Sequence, residues 1–205
     1  MAKKLVRCKA CGYIMPEGKF HVCPACGVPE KMFEAWEDKV PENRRKVLDF
    51  HIHPIIVHAP QALGFLMLFI AATFLVLSQF FAGADLADDL ATTLRVLAVL
   101  LPVLVVAGFI SGLLDGYYRY KTVKSPLLVR KMIVGCLFFV FSGAMLVLAW
   151  LPGFLTQVEV QLAFLVLNLA AFGCTAILGL WGASLTGGAM PGPFVKKKPA
   201  AKPAE

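Results

Sequence analysis

Four stretches of the chain are almost unbroken apolar sequence: Ile55–Phe81, Leu94–Leu114, Met132–Leu151 and Leu162–Leu185. Each supplies the roughly 20 apolar residues that a helix needs to cross a bilayer. Only short polar gaps separate them, which is too dense a succession for buried core helices of a soluble domain. The pattern predicts an all-α membrane bundle of four transmembrane helices. Gly108, Gly112 and Gly116 recur four apart on the second run, allowing another helix to approach closely. Pro60 and Pro102 fall inside runs, where a kink is tolerated if neighbours satisfy the freed carbonyls. Asn168 on the fourth run is placed to hydrogen-bond across helices, and Cys136 and Cys174 read as small core residues.

The polar residues divide the chain further. Residues 1–38 are charged and cysteine-rich, 39–52 form a charged linker, 53–186 hold the four runs, and 187–205 make a basic tail expected to be disordered. Overall the chain is 59% hydrophobic with a mean hydropathy of +0.74, well beyond the 45–50% of soluble domains. The formal charge of +7 does not point to nucleic acid, because the basic residues flank apolar runs and form no single stripe. Ten Lys and Arg precede the first run, five lie in the gap Asp115–Lys131 and four follow Leu185, while only Arg95 stands at the far edge of the first gap and the third gap holds none. An even number of spans therefore puts 19 of 20 basic residues on one side. By the positive-inside rule both termini are expected in the cytoplasm, with the protein multi-pass in the inner (cytoplasmic) membrane. The start Met1-Ala2-Lys3-Lys4 has no apolar core, so no signal peptide is expected.

The chemistry concentrates in two places. The first is Cys8-Lys9-Ala10-Cys11-Gly12-Tyr13, answered by Cys23-Pro24-Ala25-Cys26-Gly27. Each C-x-x-C pair aims two thiolates at one ion, and the following glycine permits the turn that brings backbone amides toward sulfur. Four thiolates suit a tetrahedral iron or zinc, and a reducing cytoplasm argues against a disulfide framework. A unit this small usually needs its metal to fold. Tyr13, Phe20, Phe33 and Trp36 are expected to cover the site.

The residues Cys8–Tyr13 and Cys23-Pro24-Ala25-Cys26-Gly27-Val28-Pro29, with Phe33, resemble the short rubredoxin-like domain of rubrerythrins over roughly Leu5–Asp38. The resemblance implies one iron held by Cys8, Cys11, Cys23 and Cys26 and a role in passing single electrons. The segment between the knuckles is shorter than in free-standing rubredoxins, so a zinc-ribbon-like domain remains the alternative.

The second place is His51-Ile52-His53-Pro54-Ile55-Ile56-Val57-His58-Ala59-Pro60, which carries three of the four histidines. Pro54 suits a helix start with His53 near its cap. His53 and His58 lie about 140° apart around a helix and form no i,i+4 metal clip. The topology gathers His53, His58, Gln61, Asp115, Arg119 and Arg130 at one face of the membrane. Three roles compete for them: a hydrogen-bond network in which Asp115 pairs His58 or Arg130, a b-type haem on His53 or His58, and a quinone pocket. The pattern H-P-x-x-V-H-x-P with Ser111-Gly112-Leu113-Leu114-Asp115 resembles four-helix membrane domains of unknown function over about Asp49–Leu185, which implies the fold and no activity.

No phosphate loop, nucleophile elbow or metalloprotease helix is present. The sequence therefore points to an electron carrier or redox subunit more than to a stand-alone enzyme. Its expected partners are the lipid bilayer and a membrane or soluble redox protein, with a homo-oligomer open. The alternative is a zinc-ribbon adaptor without redox activity. Few charges lie within the runs, which disfavours a transporter.

Overall fold

The computed structural model describes residues 4–37, 41–81 and 85–187. The tail with Lys196–Lys198 lies outside them. The chain divides into two compact units, one holding the N-terminal sheet and the other comprising Glu42–Gly182.

The N-terminal unit is built on three short antiparallel strands, β1 (Leu5–Cys8), β2 (Ile14–Pro16) and β3 (Phe33–Trp36), in the order β2-β1-β3. Register sets Val6 opposite Met15 and Ala35, and Cys8 opposite Phe33. Because side chains alternate along a strand, Val6 and Cys8 share one face and Leu5 and Arg7 the other. The inward face closes over a small core of Cys8, Ala10, Met15 and Cys23, with Phe20, Val28, Met32 and Phe33 against it. Trp36 pairs with Leu5 on the outward face, where the Arg7 guanidinium lies 5.2 Å from its ring. Tyr13 is also exposed. So Phe20 and Phe33 join the core as expected, whereas Tyr13 and Trp36 do not cover it, and Met15 and Ala10 fill their place.

The second unit opens with a short helix, α1 (Glu42–Asp49), followed by four long ones: α2 (Ile52–Phe80), α3 (Asp85–Tyr120), α4 (Pro126–Ala149) and α5 (Val158–Gly187). All four long helices have the length and apolarity to cross a membrane. Helix α3, with 36 residues, extends about 54 Å at the usual rise, more than the hydrocarbon alone requires. Helix α2 starts two residues ahead of Pro54, and its cap is His51 in the left-handed region at φ 51°.

Close approaches show how the helices alternate. Gly108 faces Val57 and Gly112 faces His53, so α3 runs antiparallel to α2. Gly116 faces Leu128 and Gly135 faces Phe109, so α4 runs back along α3. The three glycines of α3 thus serve two different neighbours. Ser78 Oγ donates to Gln161 Oε1 at 2.8 Å and Phe65 stacks near Phe172, placing α5 antiparallel to α2. Met67, Ala71, Phe74, Leu94, Ala98, Leu101, Phe138, Met145 and Phe164 fill the interior.

Many large apolar side chains instead point outward, including Phe69, Val103, Val140, Val147, Val166 and Leu180. A soluble bundle would expose such a surface to water at a cost of about 25 cal/mol per Å², whereas lipid accepts it. The fold comprises an up-and-down membrane bundle and, as a separate unit, a small β-sheet that carries four cysteines.

Candidate metal centre and polar cluster of the bundle

The four knuckle cysteines converge. The sulfurs of Cys8, Cys11, Cys23 and Cys26 all lie within 4.8 Å of one another. Cys8 and Cys26 are 3.7 Å apart, as are Cys11 and Cys23, so each close pair takes one sulfur from each knuckle. A tetrahedral ion with bonds of about 2.3 Å places neighbouring sulfurs about 3.8 Å apart. The arrangement therefore fits one four-coordinate metal, and all the cysteines are free thiols.

The two knuckles are near copies. Cys8 N–H donates to the Tyr13 carbonyl and Cys23 N–H to the Val28 carbonyl, both at 2.8 Å. Gly12 N–H closes onto the Cys8 carbonyl and Gly27 N–H onto that of Cys23. Both turns need a left-handed residue, which Gly12 supplies at φ 77° and Gly27 at φ 74°. The turn then aims amides at sulfur: Tyr13 N–H at Cys11, Val28 N–H at Cys26, and Ala25 and Cys26 N–H at Cys23.

The thiols do not share one acidity. Burial works against the Cys23 thiolate, but the Ala25 and Cys26 amides, with the thiols of Cys26 and Cys11, bring it down to about 7. The Val28 amide favours the Cys26 thiolate, yet burial and the thiols of Cys11, Cys23 and Cys8 push that group up to about 12. Cys11 is likewise raised, its Tyr13 amide outweighed by burial and by Cys23 and Cys8. Without a cation this cluster does not hold four negative charges at neutral pH. The donor set thus fits a thiophilic ion such as iron or zinc. Exposure is uneven, with Cys8 and Cys23 buried, Cys11 half-buried and Cys26 exposed.

The three clustered histidines do not act as one group. His51 sits at the α1–α2 joint, exposed, with its Nδ1 2.6 Å from the Asp49 carbonyl. His58 is exposed and turns Nδ1 back to the Pro54 carbonyl of its own helix. Only His53 enters the bundle. Its ring lies against Gly112 so closely that a Cβ there would meet Cε1 at 3.0 Å, and Nδ1 is 3.0 Å from Ser111 Oγ. The Ser111 hydroxyl in turn donates to the Gly108 carbonyl at 2.9 Å.

Asp115 pairs neither with His58 nor with Arg130. Its partner is Arg119, one turn along α3, with Nε to Oδ2 at 3.3 Å. Arg130 is exposed. Its neighbour Lys131, half-buried, is the basic residue that turns inward, and its Nζ lies 3.7 Å from where a Cβ on Gly182 would stand. Lys131, Asp115 and Arg119 act electrostatically on His53. Sequence reading selected Arg130 and missed Lys131, because the two are adjacent and only their rotation about α4 separates them.

Other polar groups are tied differently. Gln61 stands beside Gly179 of α5, 3.8 Å from its Cβ position. Asn168, wholly buried, has no hydrogen-bond partner on either side-chain atom, so the expected cross-helix bond is not made. Cys174 is buried as expected, but Cys136 faces outward. Comparison of the chain with protein-family models, characterised proteins and solved structures gives no match.

Proposed function

We propose that this protein is a membrane-anchored one-electron carrier in which Cys8, Cys11, Cys23 and Cys26 hold a single iron and exchange electrons with a redox partner in the membrane. The observation that carries the reading is the convergence of the Cys8, Cys11, Cys23 and Cys26 sulfurs within 4.8 Å of one another, with backbone amides directed at three of them. Structural zinc knuckles use such amides as well, so they support a single thiolate-held ion, and iron is favoured by the likeness to the rubredoxin-like domain. Amide hydrogen bonds to sulfur are among the features by which proteins set the potential of iron–thiolate centres. Bound iron supplies a one-electron couple at such a site. The likeness of Cys8–Tyr13 and Cys23–Pro29 to the rubredoxin-like domain of rubrerythrins supports the same ion.

The helical unit is the anchor. The basic residues gathered before α2, between α3 and α4, and after Leu185 support an inner-membrane location with both termini cytoplasmic.

The test is metal analysis with a visible spectrum of protein purified in detergent from native, iron-replete cells. One iron per chain and a charge-transfer absorption that bleaches and returns reversibly on reduction and reoxidation are expected. Stoichiometric zinc with no visible band would overturn the carrier reading and leave a zinc-bearing membrane adaptor.

A further inference from the structure

We propose that α4 carries a site for one anionic phospholipid, with an acyl chain in a groove on its outer face and the phosphate on Lys124 and Arg130. The site is independent of the metal centre and of the electron-carrier reading.

The groove is formed by Val129, Met132, Ile133, Cys136, Leu137 and Val140 and has a volume of about 350 Å³. These positions recur three or four apart, so they share one face of the helix. At the helical rise, Val129 to Val140 spans about 16 Å. That is close to the depth of one leaflet in a hydrocarbon core of roughly 30 Å.

The head of the groove is basic. Lys121 and Lys124 lie in the turn that leads into α4. Arg130 stands one turn ahead of Ile133 and two turns ahead of Leu137, on the same side of the helix. All three cations are exposed, and among the described residues no ion pair holds any of them. The sequence from Lys121 to Lys131 contains no carboxylate. Asp115 of α3 is engaged by Arg119, and Glu42 of α1 by Lys46. The turn itself is held: Thr122 Oγ1 accepts from Lys124 N–H at 3.1 Å, and Ser125 Oγ accepts from Leu128 N–H at 3.4 Å. Lys124 is therefore presented on a fixed backbone.

Cations above an apolar groove one leaflet deep fit a ligand with an acyl tail and a negative head. A phosphate diester accepts from both a guanidinium and an ammonium. Phosphatidylcholine carries its own cation beside the phosphate and gains less from the site. A second copy of the chain, packed on the same groove about a two-fold axis along the membrane normal, sets Lys124 and Arg130 against their own equivalents. Like charge opposes that occupant.

The experiment uses the full chain, delipidated in detergent and titrated with phosphatidylglycerol or phosphatidylcholine of matched acyl chains. Native mass spectrometry reads the retained lipid. Wild type is expected to retain one phosphatidylglycerol per chain in preference to phosphatidylcholine. Lys124→Gln/Arg130→Gln is expected to weaken phosphatidylglycerol binding about thirtyfold, at roughly fivefold per basic residue. Lys124→Arg/Arg130→Lys keeps both charges and is expected to keep the preference. Lys19→Gln/Lys31→Gln removes two exposed charges from the N-terminal unit and is expected to leave binding unchanged. Cys136→Trp fills the groove at an exposed position and is expected to abolish retention.

Equal retention of the two lipids by wild type, or an undiminished preference in Lys124→Gln/Arg130→Gln, would overturn the site. Full retention in Cys136→Trp would overturn it too, because the groove then holds no chain. So would displacement of the lipid by inorganic phosphate at equal concentration, which identifies a site for a free anion. None of these outcomes touches the metal, so the carrier reading stands or falls separately.

Discussion

The knuckle glycines allow the linkage between backbone strain and metal affinity to be worked out in advance. Gly27 sits at φ 74°, and a Cβ built on it meets nothing within 4 Å. Gly27→Ala therefore adds no clash, and its cost is the left-handed conformation alone, about 1–2 kcal/mol for an L-residue. A unit of this size folds around its metal, so strain in the folded state appears as lost metal affinity. At about 1.4 kcal/mol per decade, the expected loss is roughly 5- to 30-fold. Gly12, at φ 77°, has only the Arg7 guanidinium at 3.7 Å from its Cβ position, an ordinary contact, so Gly12→Ala is expected to fall in the same range. Gly27→Asn is expected to recover part of the loss, since asparagine tolerates the left-handed region.

The assay is competition for cobalt(II) or zinc(II) against a chromophoric chelator, using the full chain in detergent. Wild-type affinity in Gly27→Ala would refute the argument that the turn must be left-handed to close the site. A loss well beyond a hundredfold would also refute it, by exposing a steric cost that the open space around Gly27 excludes.

Metal uptake is expected to strengthen with pH, because Cys26 (about 12) and Cys11 (raised) hold protons near neutrality that the ion displaces. At least two released protons give at least about a hundredfold per pH unit between pH 8 and 7, with Cys23 adding another below about 7. Chelator competition across this range, with proton release followed in weak buffer, measures the slope, and a flat profile would contradict it. Asn168→Leu is expected to stabilise the bundle by about 1–3 kcal/mol, since it removes a buried amide without partners. Thermal unfolding in detergent reads the gain, and a loss would mean that water or another group satisfies the amide. Arg44→Met is expected to cost about 1 kcal/mol and to loosen α1, because Arg44 donates to the Tyr118 and Arg119 carbonyls at the end of α3. Faster hydrogen exchange at Tyr117–Lys121 checks it.

The parts of this molecule that follow one-dimensional rules were readable from its residues. Lipid selects unbroken apolar runs, so the four long helices stand out without knowledge of their neighbours. The C-x-x-C-G spacing folds the same way twice because glycine is the one residue that enters its turn without strain. Rotation about a helix axis was less accessible. His53 and His58 diverge as their spacing implies, yet only the bare Gly112 shows which of them is admitted to the bundle. Arg130 and Lys131 differ by a 100° turn, and their neighbours on α3 and α5 decide which enters. Long-range pairing hid the small core as well, because Met15 becomes interior only when β2 aligns it with Val6.

Arg95 is the one basic residue outside the charge pattern, and its contacts account for it. Its Nε donates to the Ala149 carbonyl at 3.0 Å, at the end of α4, and the guanidinium lies 5.9 Å from the Trp150 ring and 6.0 Å from that of Phe154. The last carbonyls of a helix carry partial negative charge and lack partners of their own. Arg95 is therefore consumed in capping α4, as Arg44 is in capping α3. Beside it, Gln161 closes the same end by donating to the Phe154 and Leu155 carbonyls and accepting from Ser78. A cation locked in this way reports on helix ends and not on membrane orientation. Subtracting both capping arginines removes the exception while costing the opposite side only one of its charges. The asymmetry that remains is carried by the nine other basic residues ahead of α2, the four after Leu185 and the flanks of α3 and α4, where Lys121, Lys124 and Arg130 are all exposed. Those residues, and not the total of +7, are what an orientation argument for this chain has to stand on.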